Sequence, residues 1–590
     1  MITLGISAYF HDSSAAIIID GKVVAAAQEE RFTRIKHDNS FPINACKYCL
    51  QECNITIDKI DNIAFFEKPF LKFERILEMS IKFAPKGFKF FVNAMPIWLK
   101  DKLNMRKLIA KELNNFFKTE IQCSIHFIEH HIAHSALAYY TSPFSSSAIL
   151  TIDAVGEWAT TSMMYGENNK LKQIKEQHYP DSLGLLYSSV TYFLGFKVNS
   201  DEYKVMGLAP YGKKESSQTK QFIDIIYNSI VSKNADGSIT LNNKFFKYSY
   251  QLEMIDCKKW EKLFNVKRRN PNEKITQSHC NLALAFQTIL EEIVLSLALS
   301  IKEETKCENL CLAGGTALNC AMNGFLRNKK IFKNIFVPYS PGDGGSSIGA
   351  GLALYYLKNK SRILNTSPYL GPQYSNVEIQ NILDSRNITY KYLDSTTDLY
   401  NEVVEYLTKG KIIGWFQGRM EFGPRALGNR SILADPRVPD MKYKVNSKIK
   451  FREEFRPFAP AVLFEDKERY FNMDFESPYM MFTSNVNDDL CYDIPETMPL
   501  EDAVNAYTSS IPAITHIDKT ARVQTVTKDN NLRFYELLQT FKKNCNCPLL
   551  LNTSFNVMGE PIVCSPEDAL NTFYSCGIDI LVLNNYIICK

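Results

Sequence analysis

Two histidines four residues apart, His130 and His134, are the side chains whose types and spacing point most directly to chemistry. If this segment is helical, both side chains lie on one face about one turn apart, where two imidazoles can bind one metal ion. Two acidic residues stand in glycine-containing turns, Asp153 shortly downstream and Asp343 far downstream. Together these residues indicate a metal held beside a nucleotide.

A histidine pair at this spacing also occurs often without a metal, as a structural or surface feature. A zinc protease of the H-E-x-x-H type needs Glu at the second position, and His131 stands there, which argues against that class. Glu129 and His131 add further ligands or hydrogen-bond partners for ligands. Imidazole with carboxylate suits Fe, Mn or Zn, and ligand type alone does not choose among them.

Three short glycine loops, at 153–156, 314–315 and 342–345, each follow a strand-like segment. One such loop means little, but three favour nucleotide binding, because they place small residues and backbone N–H groups where anions bind. The sequence contains neither a G-x-x-x-x-G-K-[ST] loop nor a strand followed by G-x-G-x-x-G. This absence argues against the P-loop and Rossmann folds.

A second candidate site lies in an arginine-rich stretch at 418–430 and 450–457. A charge run is usually a solvated face, but these arginines alternate with Gly, Pro, Phe and Ala. Arginines in partly buried loops need anions, and a phosphate fits the guanidinium fork. His516 and Arg522 follow downstream, and the whole predicts a site for a small phosphate-bearing substrate.

His11 stands beside Asp12 in a polar loop at 10–14. A lone loop histidine usually has no special role. In a loop that contacts phosphates, however, an imidazole titrating near neutral pH can act as general acid or base. Both interpretations stay open on the sequence alone.

The elements that must position these residues alternate strands and helices. Residues 2–7, 17–19 and 22–27 are strand-like, and Asp20-Gly21 favours a hairpin turn. The chain therefore opens as an antiparallel meander, which is typical of the actin-like and sugar-kinase superfamily. We see no convincing internal repeat in the sequence.

The chain is too long for one core, so 590 residues predict at least two domains. A polar stretch at 358–376, which carries Pro368 and Pro372, predicts the boundary. We therefore expect domains at 1–362 and 363–590, the second again alternating strands and helices.

Composition narrows the function classes. A hydrophobic fraction of 45% is ordinary for a globular protein, and a net charge of +4 gives no reason to expect nucleic acid as the main partner. Fifteen scattered cysteines do not suggest a disulfide framework, which favours a reducing, cytoplasmic location. The start lacks a signal peptide, and Glu291 and Glu292 interrupt the most apolar run, so we expect no membrane span.

Two clusters have a structural interpretation that we favour. Cys46, Cys49 and Cys53 are spaced as one buried helix face rather than as a zinc site. Residues 82–107 mix lysines with Phe and Trp. An amphipathic helical insert covering the first domain is favoured there over a membrane-surface or nucleic-acid site.

Taken together, these residues resemble the O-carbamoyltransferases of the nodulation and antibiotic-tailoring type. The resemblance runs essentially end to end, and chance similarity in so many ordered motifs is negligible. The matching segments are 11–16, 29–32, 130–134, 203–212, 314–319, 418–430, 455–460 and 551–556.

The resemblance implies an α/β fold with two domains. The N-terminal one would be a duplicated actin-like, sugar-kinase-like domain similar to the tRNA threonylcarbamoyl transferases, and the C-terminal one a YrdC-like α/β domain. It implies ATP-dependent transfer of the carbamoyl group of carbamoyl phosphate, through carbamoyl-adenylate, to a hydroxyl of a small-molecule or sugar acceptor. The expected cofactors are ATP and a divalent metal, Fe(II) first with Mn or Zn as alternatives, and Mg as an ion that could accompany ATP. A homodimer is compatible with the resemblance.

The resemblance also assigns roles to single residues. His11 would assist deprotonation of the acceptor hydroxyl, and the metal ligands would be His130, His134, Asp153 and Asp343. Nucleotide contacts would come from Asp12, Gly156, Lys204, Gly207, Gly314, Gly315, Asn319 and Gly342. Carbamoyl phosphate would be bound by Arg419, Arg425, Lys450, Arg456, His516, Arg522 and Asn552.

Two positions depart from the family pattern, since Lys519 and Asp201 stand where glycine is usual. Three alternatives remain: carbamoyl transfer to an amine or guanidine nitrogen, a tRNA-modification component, and a non-catalytic metal- and nucleotide-binding regulator. The modest charge argues against the second, and the intact histidines and acidic residues argue against the third. The acceptor cannot be identified from the sequence.

Overall fold

The structure, a computed structural model, describes residues 1–88, 91–93, 95, 98, 102–359, 361–495 and 497–590. Lys89, Phe90 and Lys100 of the predicted insert at 82–107 lie outside the described residues. The chain forms two compact units. The first comprises Met1–Glu29 and Asn39–Thr366, and the second comprises Glu30–Asp38 and Ser367–Lys590. Nothing in the sequence indicates that Glu30–Asp38 groups with the C-terminal half.

The first sheet of the first unit contains the opening meander. Its strands are β1 Ile2–Ser7, β2 Ser14–Ile19, β3 Lys22–Gln28, β4 Asn62–Phe65 and β5 Ser124–Phe127, in the order β3-β2-β1-β4-β5. Strands β1, β2 and β3 are antiparallel, whereas β4 and β5 continue parallel to β1. Asp20 and Gly21 have φ values of +48° and +86°, as the predicted two-residue hairpin turn requires.

The second sheet of the first unit repeats this topology. Its strands are β6 Ser146–Ile152, β7 Ala159–Glu167, β8 Lys170–His178, β11 Asn309–Ala313 and β12 Asn334–Phe336, in the order β12-β11-β6-β7-β8; the short pair β9 Val231–Lys233 and β10 Ile239–Leu241 lies outside it. Strands β6, β7 and β8 are antiparallel, and β11 and β12 run parallel to β6 and to each other. The predicted duplicated α/β fold is confirmed.

Helices cover the sheets of both units. Numbered along the chain, they are α1 Glu30–Thr33, α2 Ile43–Glu52, α3 Pro69–Lys82, α4 Met105–Phe117, α5 His130–Tyr140, α6 Leu183–Phe193, α7 Glu202–Leu208, α8 Ser217–Ile225, α9 Cys257–Phe264, α10 Gln277–Thr305, α11 Cys320–Asn328, α12 Ser346–Lys358, α13 Asn376–Ser385, α14 Thr396–Thr408, α15 Met441–Val445, α16 Lys467–Tyr470, α17 Leu500–Asn505, α18 Leu532–Cys545 and α19 Pro566–Ser575. Helices α5 and α12 pack closely, because a Cβ at Gly349 would lie 1.9 Å from the Ala133 carbonyl oxygen.

Helix α10 contains the most apolar segment of the chain. By length and composition it could cross a membrane, but 61% of its most apolar window is buried inside the protein. Cys46 and Cys49 are fully buried on α2, as the sequence pattern predicts, whereas Cys53, predicted on the same face, follows the end of the helix and is half-buried. No disulfide joins any of the fifteen cysteines, all of which lie in the described ranges.

The second unit is built on a mixed eight-stranded sheet. Its strands are β13 Lys391–Tyr392, β14 Ile413–Phe416, β15 Arg430–Ala434, β16 Ala459–Leu463, β19 Gln524–Val526, β20 Leu549–Ser554, β21 Ile580–Leu583 and β22 Tyr586–Cys589, in the order β13-β22-β21-β14-β15-β20-β16-β19; β17 Thr483–Asn485 and β18 Thr520–Arg522 form a separate pair. One apolar core packs around the sheet, including the fully buried Trp415 and Phe555. The arginine-rich stretch 417–429 connects β14 to β15.

Candidate active site

The predicted metal ligands lie just beyond the carboxyl ends of parallel strands in the first unit. Strand β5 ends at Phe127 and α5 begins at His130, while β6 ends at Ile152 and is followed by Asp153. Asp343 begins a short 3-10 turn that leads into α12. Loops at the carboxyl ends of parallel strands form the crevice in which α/β proteins bind ligands.

Four buried side chains converge at this place: His130, His134, Asp153 and Asp343, with one ligand atom of each within 4.8 Å of the others. The two Nε2 atoms of the histidines are 3.0 Å apart. The Oδ2 atom of Asp153 lies 3.3 Å from His130 Nε2, and the Oδ1 atom of Asp343 lies 3.3 Å from His134 Nε2. The helical spacing predicted for the histidine pair is the one observed on α5.

This arrangement fits a metal ion on chemical grounds. Buried charged groups are paired or coordinate metals, because leaving them desolvated is costly. Among the described residues, Asp343 Oδ2 and His134 Nδ1 are buried without a hydrogen-bond partner. Two imidazoles with two carboxylates form a donor set that suits a divalent transition metal.

Electrostatics of the cluster follow from its alternating charges. Burial alone would lower the pKa of His130, but the Asp343 and Asp153 carboxylates raise this pKa well above its usual range. Burial would raise the pKa of Asp343, yet His130 and His11 hold it well below its ordinary value. The carboxylates that favour protonated His130 are also the groups that would attract a metal cation.

His11 is placed beside this cluster. Its Nδ1 lies 3.0 Å from Asp12 Oδ2, and its Nε2 lies 3.6 Å from Asp343 Oδ2. Burial opposes the charged imidazole, but Asp343 and then Asp12 raise the pKa of His11 to about 9. The structure thus brings together the predicted proton-transfer residue and the predicted metal ligands.

Neighbouring groups hold the ligands in place. The Glu157 carboxylate accepts the backbone N–H of His130 at the start of α5, at 3.1 Å, and the Gly315 N–H donates to Asp153 Oδ1 at 2.9 Å. His131 points elsewhere, with its Nδ1 2.7 Å from Ser162 Oγ, and burial followed by the charge of His130 lowers its pKa to about 3. Sequence analysis misses Glu157, although this residue stands in the same glycine turn as Asp153.

Four predicted nucleotide-binding glycines border the metal cluster. Gly314 has a φ of +84°, and a Cβ there would lie 2.2 Å from the Ile152 carbonyl oxygen, so only glycine fits. A Cβ at Gly156 would lie 3.1 Å from His130 Cβ, and one at Gly342 would lie 3.8 Å from Gly315 Cα. Gly156, Gly314 and Gly315 therefore let the strand-end loops approach each other closely around the ligands, whereas a Cβ at Gly342 would make only ordinary contacts.

The remaining predicted nucleotide residues are engaged with protein groups. Asn319 caps α11 by accepting the Met322 N–H at 3.0 Å, and its Nδ2 donates to Gln287 Oε1 at 2.9 Å. The Lys204 ammonium pairs with Asp201 at 3.2 Å, so this departure from the family pattern touches a candidate site residue. Gly207 is buried on α7, one turn after Lys204.

In the second unit, a network of amides anchors the loop that carries Arg425. The Nδ2 of Asn552 on β20 donates to the Ala426 carbonyl at 3.3 Å and to Gln524 Oε1 at 2.7 Å. Gln524 Nε2 in turn donates to the Leu427 carbonyl at 3.0 Å. Asn552, a predicted phosphate-site residue, thereby holds the backbone one residue after Arg425.

Lys450 ends the helical turn 446–450, and its side chain reaches the end of strand β20. Its ammonium donates to Asn556 Oδ1 at 2.8 Å and to Ser554 Oγ at 3.2 Å; Ser554 and Asn552 share one face of β20, because strand side chains alternate. Burial, then Arg452 and Arg456, lower the pKa of Lys450 well below its usual range. An anion bound beside this buried lysine would favour its charged form and reduce its repulsion from Arg452 and Arg456.

The other predicted donor-site residues are held by separate elements. Arg419 Nη2 donates to the Leu370 carbonyl at 2.8 Å, and Arg456 faces Glu453 at 3.5 Å. His516 opens a turn that its own N–H closes on the Thr520 carbonyl at 2.8 Å, and Arg522 ends β18.

Comparisons with known proteins agree with this organisation. Residues 2–352 match the family described as carbamoyltransferase N-terminus, and residues 404–590 match the carbamoyltransferase C-terminus. An uncharacterized protein of Synechocystis is 46% identical over 100% of this chain and 96% of its own length. Nodulation protein NolNO of Sinorhizobium fredii is 36% identical over 99% of this chain and 79% of its own. An uncharacterized protein of Methanocaldococcus jannaschii is 30% identical over 99% of each.

Proposed function

Since this chain belongs to the carbamoyltransferase family and is an enzyme, we propose that it transfers the carbamoyl group of carbamoyl phosphate to a hydroxyl of a small-molecule or sugar acceptor. The proposed reaction is ATP-dependent and proceeds through carbamoyl-adenylate. The observation that carries the proposal is the convergence of four ligand atoms beside His11 in the first unit. A separate basic site in the second unit suits the phosphate of the donor.

The proposed reaction has three balanced steps. Water cleaves carbamoyl phosphate to carbamate and inorganic phosphate. The carbamate oxygen then attacks the α-phosphorus of ATP, which releases pyrophosphate and forms carbamoyl-adenylate. The acceptor oxygen finally attacks the carbamoyl carbon, AMP leaves, and the hydroxyl proton is lost. Adenylation is needed because AMP is a far better leaving group than hydroxide.

In the second unit, Arg425, Lys450 and Arg456 would bind the phosphate of the donor. Guanidinium groups meet phosphate oxygens with paired hydrogen bonds, whereas the ammonium supplies a point charge. The desolvated Lys450 gains most, because an anion favours its charged form. The other residues proposed to bind carbamoyl phosphate are Arg419, His516, Arg522 and Asn552.

In the first unit, the chain's own residues would orient and activate the acceptor. Asp12 holds the His11 imidazole through Nδ1, which leaves Nε2 directed towards Asp343 and the cluster. Once a bound cation offsets the Asp343 charge that raises the His11 pKa, the neutral Nε2 would take the proton of the acceptor hydroxyl. A divalent metal held by His130, His134, Asp153 and Asp343 would supply Lewis-acid polarisation. The strand-end glycines would let phosphate oxygens approach backbone N–H groups.

The test separates the two sites. Purified chain is incubated with carbamoyl phosphate and ATP, with Fe(II), Mn(II) or Zn(II), while phosphate, pyrophosphate and carbamoyl-adenylate are quantified. We expect Arg425→Ala to stop carbamoyl-phosphate cleavage and adenylate formation together. His130→Ala should leave phosphate release intact, because it alters only the site proposed to consume the adenylate; with an acceptor added, it should abolish transfer. Absence of ATP turnover by the unmodified chain with every metal would refute the proposal.

A further inference from the structure

The segment Glu30–Asp38, called the strap below, comes from the N-terminal part of the chain but belongs to the second unit. Three of its side chains fasten it there. Arg34 donates to the Ile562 carbonyl at 2.7 Å and to the Pro561 carbonyl at 2.8 Å. Phe32 packs on the small apolar cluster of Met420, Ile562 and Cys564.

The third fastening, by Arg31, differs because it is a hydrogen bond to the backbone of the arginine-rich loop. The Arg31 Nη2 donates to the Gly423 carbonyl at 2.9 Å, and its Nη1 pairs with Glu30 at 2.9 Å. Arg31 is 4% exposed, so this charge-assisted hydrogen bond is desolvated and stronger than a surface contact. Gly423 stands two residues before Arg425.

Before the Gly423 turn, the Phe422 N–H donates to the Pro368 carbonyl at 2.7 Å and the Met420 N–H to the Pro372 carbonyl at 2.9 Å, while the Gly423 carbonyl is held by Arg31. Gly418, Gly423 and Gly428 have φ values of +42°, +111° and +105°, and glycine turns of this kind can adopt several conformations at low cost. The Glu421 carboxylate fixes the far end of the loop, accepting the N–H groups of Leu427 at 2.6 Å and Arg430 at 3.2 Å. Arg31 fixes the Gly423 turn.

We propose that Arg31 is a positioning residue of the donor site, which selects the loop conformation that presents Arg425 to carbamoyl phosphate. The inference rests on the proposed function, since it assigns the donor to this loop. Arg31 acts through the Gly423 carbonyl and does not touch the donor. A segment about 390 residues earlier in the chain thereby takes part in the second unit's site.

The strap supplies its own control, because Arg34 is fastened to 561–562 and not to the loop. In the full-length chain, Arg31→Met and Arg34→Met are compared for the KM of carbamoyl phosphate in phosphate release, the KM of ATP, kcat and the melting temperature. We expect Arg31→Met to raise the KM of carbamoyl phosphate about tenfold, with kcat and the KM of ATP within about twofold. Arg34→Met should lower the melting temperature similarly but leave that KM unchanged.

Arg31→Lys tests the same contact with less risk to folding, since one donor and the charge remain. We expect a KM increase of only about threefold. Equal KM effects of Arg31→Met and Arg34→Met, or an unchanged KM in Arg31→Lys and Arg31→Met, would overturn the inference. A wild-type chain that does not cleave carbamoyl phosphate would instead refute the proposed function. In that case, calorimetry of inorganic phosphate binding tests the positioning role. We expect Arg31→Met to bind phosphate about tenfold more weakly than the wild type, and Arg34→Met to bind it unchanged.

Discussion

At the scale of single residues, the buried charges of the two candidate sites differ chemically. In the first unit, histidines and carboxylates alternate around one point, with Asp343 in contact with both His130 and His134. In the second unit, Lys450 is crowded by cations. The first group suits a cation and the second an anion, which gives each site a ligand of definite sign.

The metal site can be tested by ligand removal. We expect His130→Ala to reduce tightly bound divalent metal at least tenfold, because loss of even an outer partner of a ligand weakens metal binding by about tenfold or more. His126→Ala is the matched control, since its Nε2 bonds Asn62 outside the cluster at 3.1 Å. Metal is measured by mass spectrometry of dialysed protein. Equal metal content in both variants would contradict the assignment.

Lys519 carries local backbone strain. Its φ is +63°, and this left-handed conformation costs a lysine about 1–2 kcal/mol. Glycine adopts it without strain, but loses about 0.5–1 kcal/mol more conformational entropy on folding. We expect Lys519→Gly to raise the free energy of unfolding by about 0.5–1 kcal/mol in urea denaturation, since its exposed pair with Asp493 contributes little. Asn546→Gly, at φ +53°, should change stability less, because asparagine tolerates this conformation.

Lys442 predicts a pH dependence of stability. Burial lowers its pKa from 10.5 to about 8, so between these values the unfolded chain binds more protons than the folded one. Stability therefore rises with pH from about 8 to about 10.5. Comparing urea denaturation of the wild type and Lys442→Met across this range should show that the variant lacks this part of the rise. Lys444→Met on the same helix should retain it, and a Lys442→Met profile parallel to the wild type would count against the burial argument.

At the scale of elements, the contact between α5 and α12 ties the metal ligands to the fold. Ala133 lies between the two ligand histidines on α5, and its carbonyl oxygen occupies the place where a Cβ of Gly349 would stand. Asp343 immediately precedes α12. Helix α5 therefore carries two of the four ligands, and the 3-10 turn that leads into α12 carries a third.

Gly349→Ala tests this contact, because backbone meets backbone and one helix must move. We expect a loss of about 3 kcal/mol or more in the free energy of unfolding, together with weaker metal binding. Gly351→Ala on the same helix would meet the flexible end of Ile18 at 2.4 Å, so it should cost only about 1 kcal/mol. Similar losses in the two variants by thermal denaturation would show that helix proximity is not the constraint.

Element type was more accessible to sequence reasoning than the long-range arrangement. Apolar strand-like runs and the Asp20-Gly21 turn predict the opening meander, and the helical spacing predicts that His130 and His134 share one face. The topological repeat of the two sheets leaves no repeat in the sequence, because topology constrains strand direction and order rather than residue identity. The strap is a non-local contact with no periodic signal. Asn319 matches a motif, but motif matching cannot tell that its amide caps α11.

At the scale of the whole molecule, the two compact units contain the two candidate sites separately. A ligand that binds only the folded state stabilises the region whose opening would destroy its site. The metal and carbamoyl phosphate should therefore protect different parts of one chain.

Hydrogen exchange of the full-length chain tests this separation. With Mn(II) at about 100 times its Kd, amides in α5 and at 343–347 should exchange about a hundredfold more slowly wherever exchange requires opening of the metal site. Carbamoyl phosphate without ATP should instead slow exchange at 418–430 and 450–456. His130→Ala should remove only the first protection and Arg425→Ala only the second, since each deletes a group of one site. Protection of α5 by carbamoyl phosphate alone would place the donor in the first unit and reverse the assignment of the two sites.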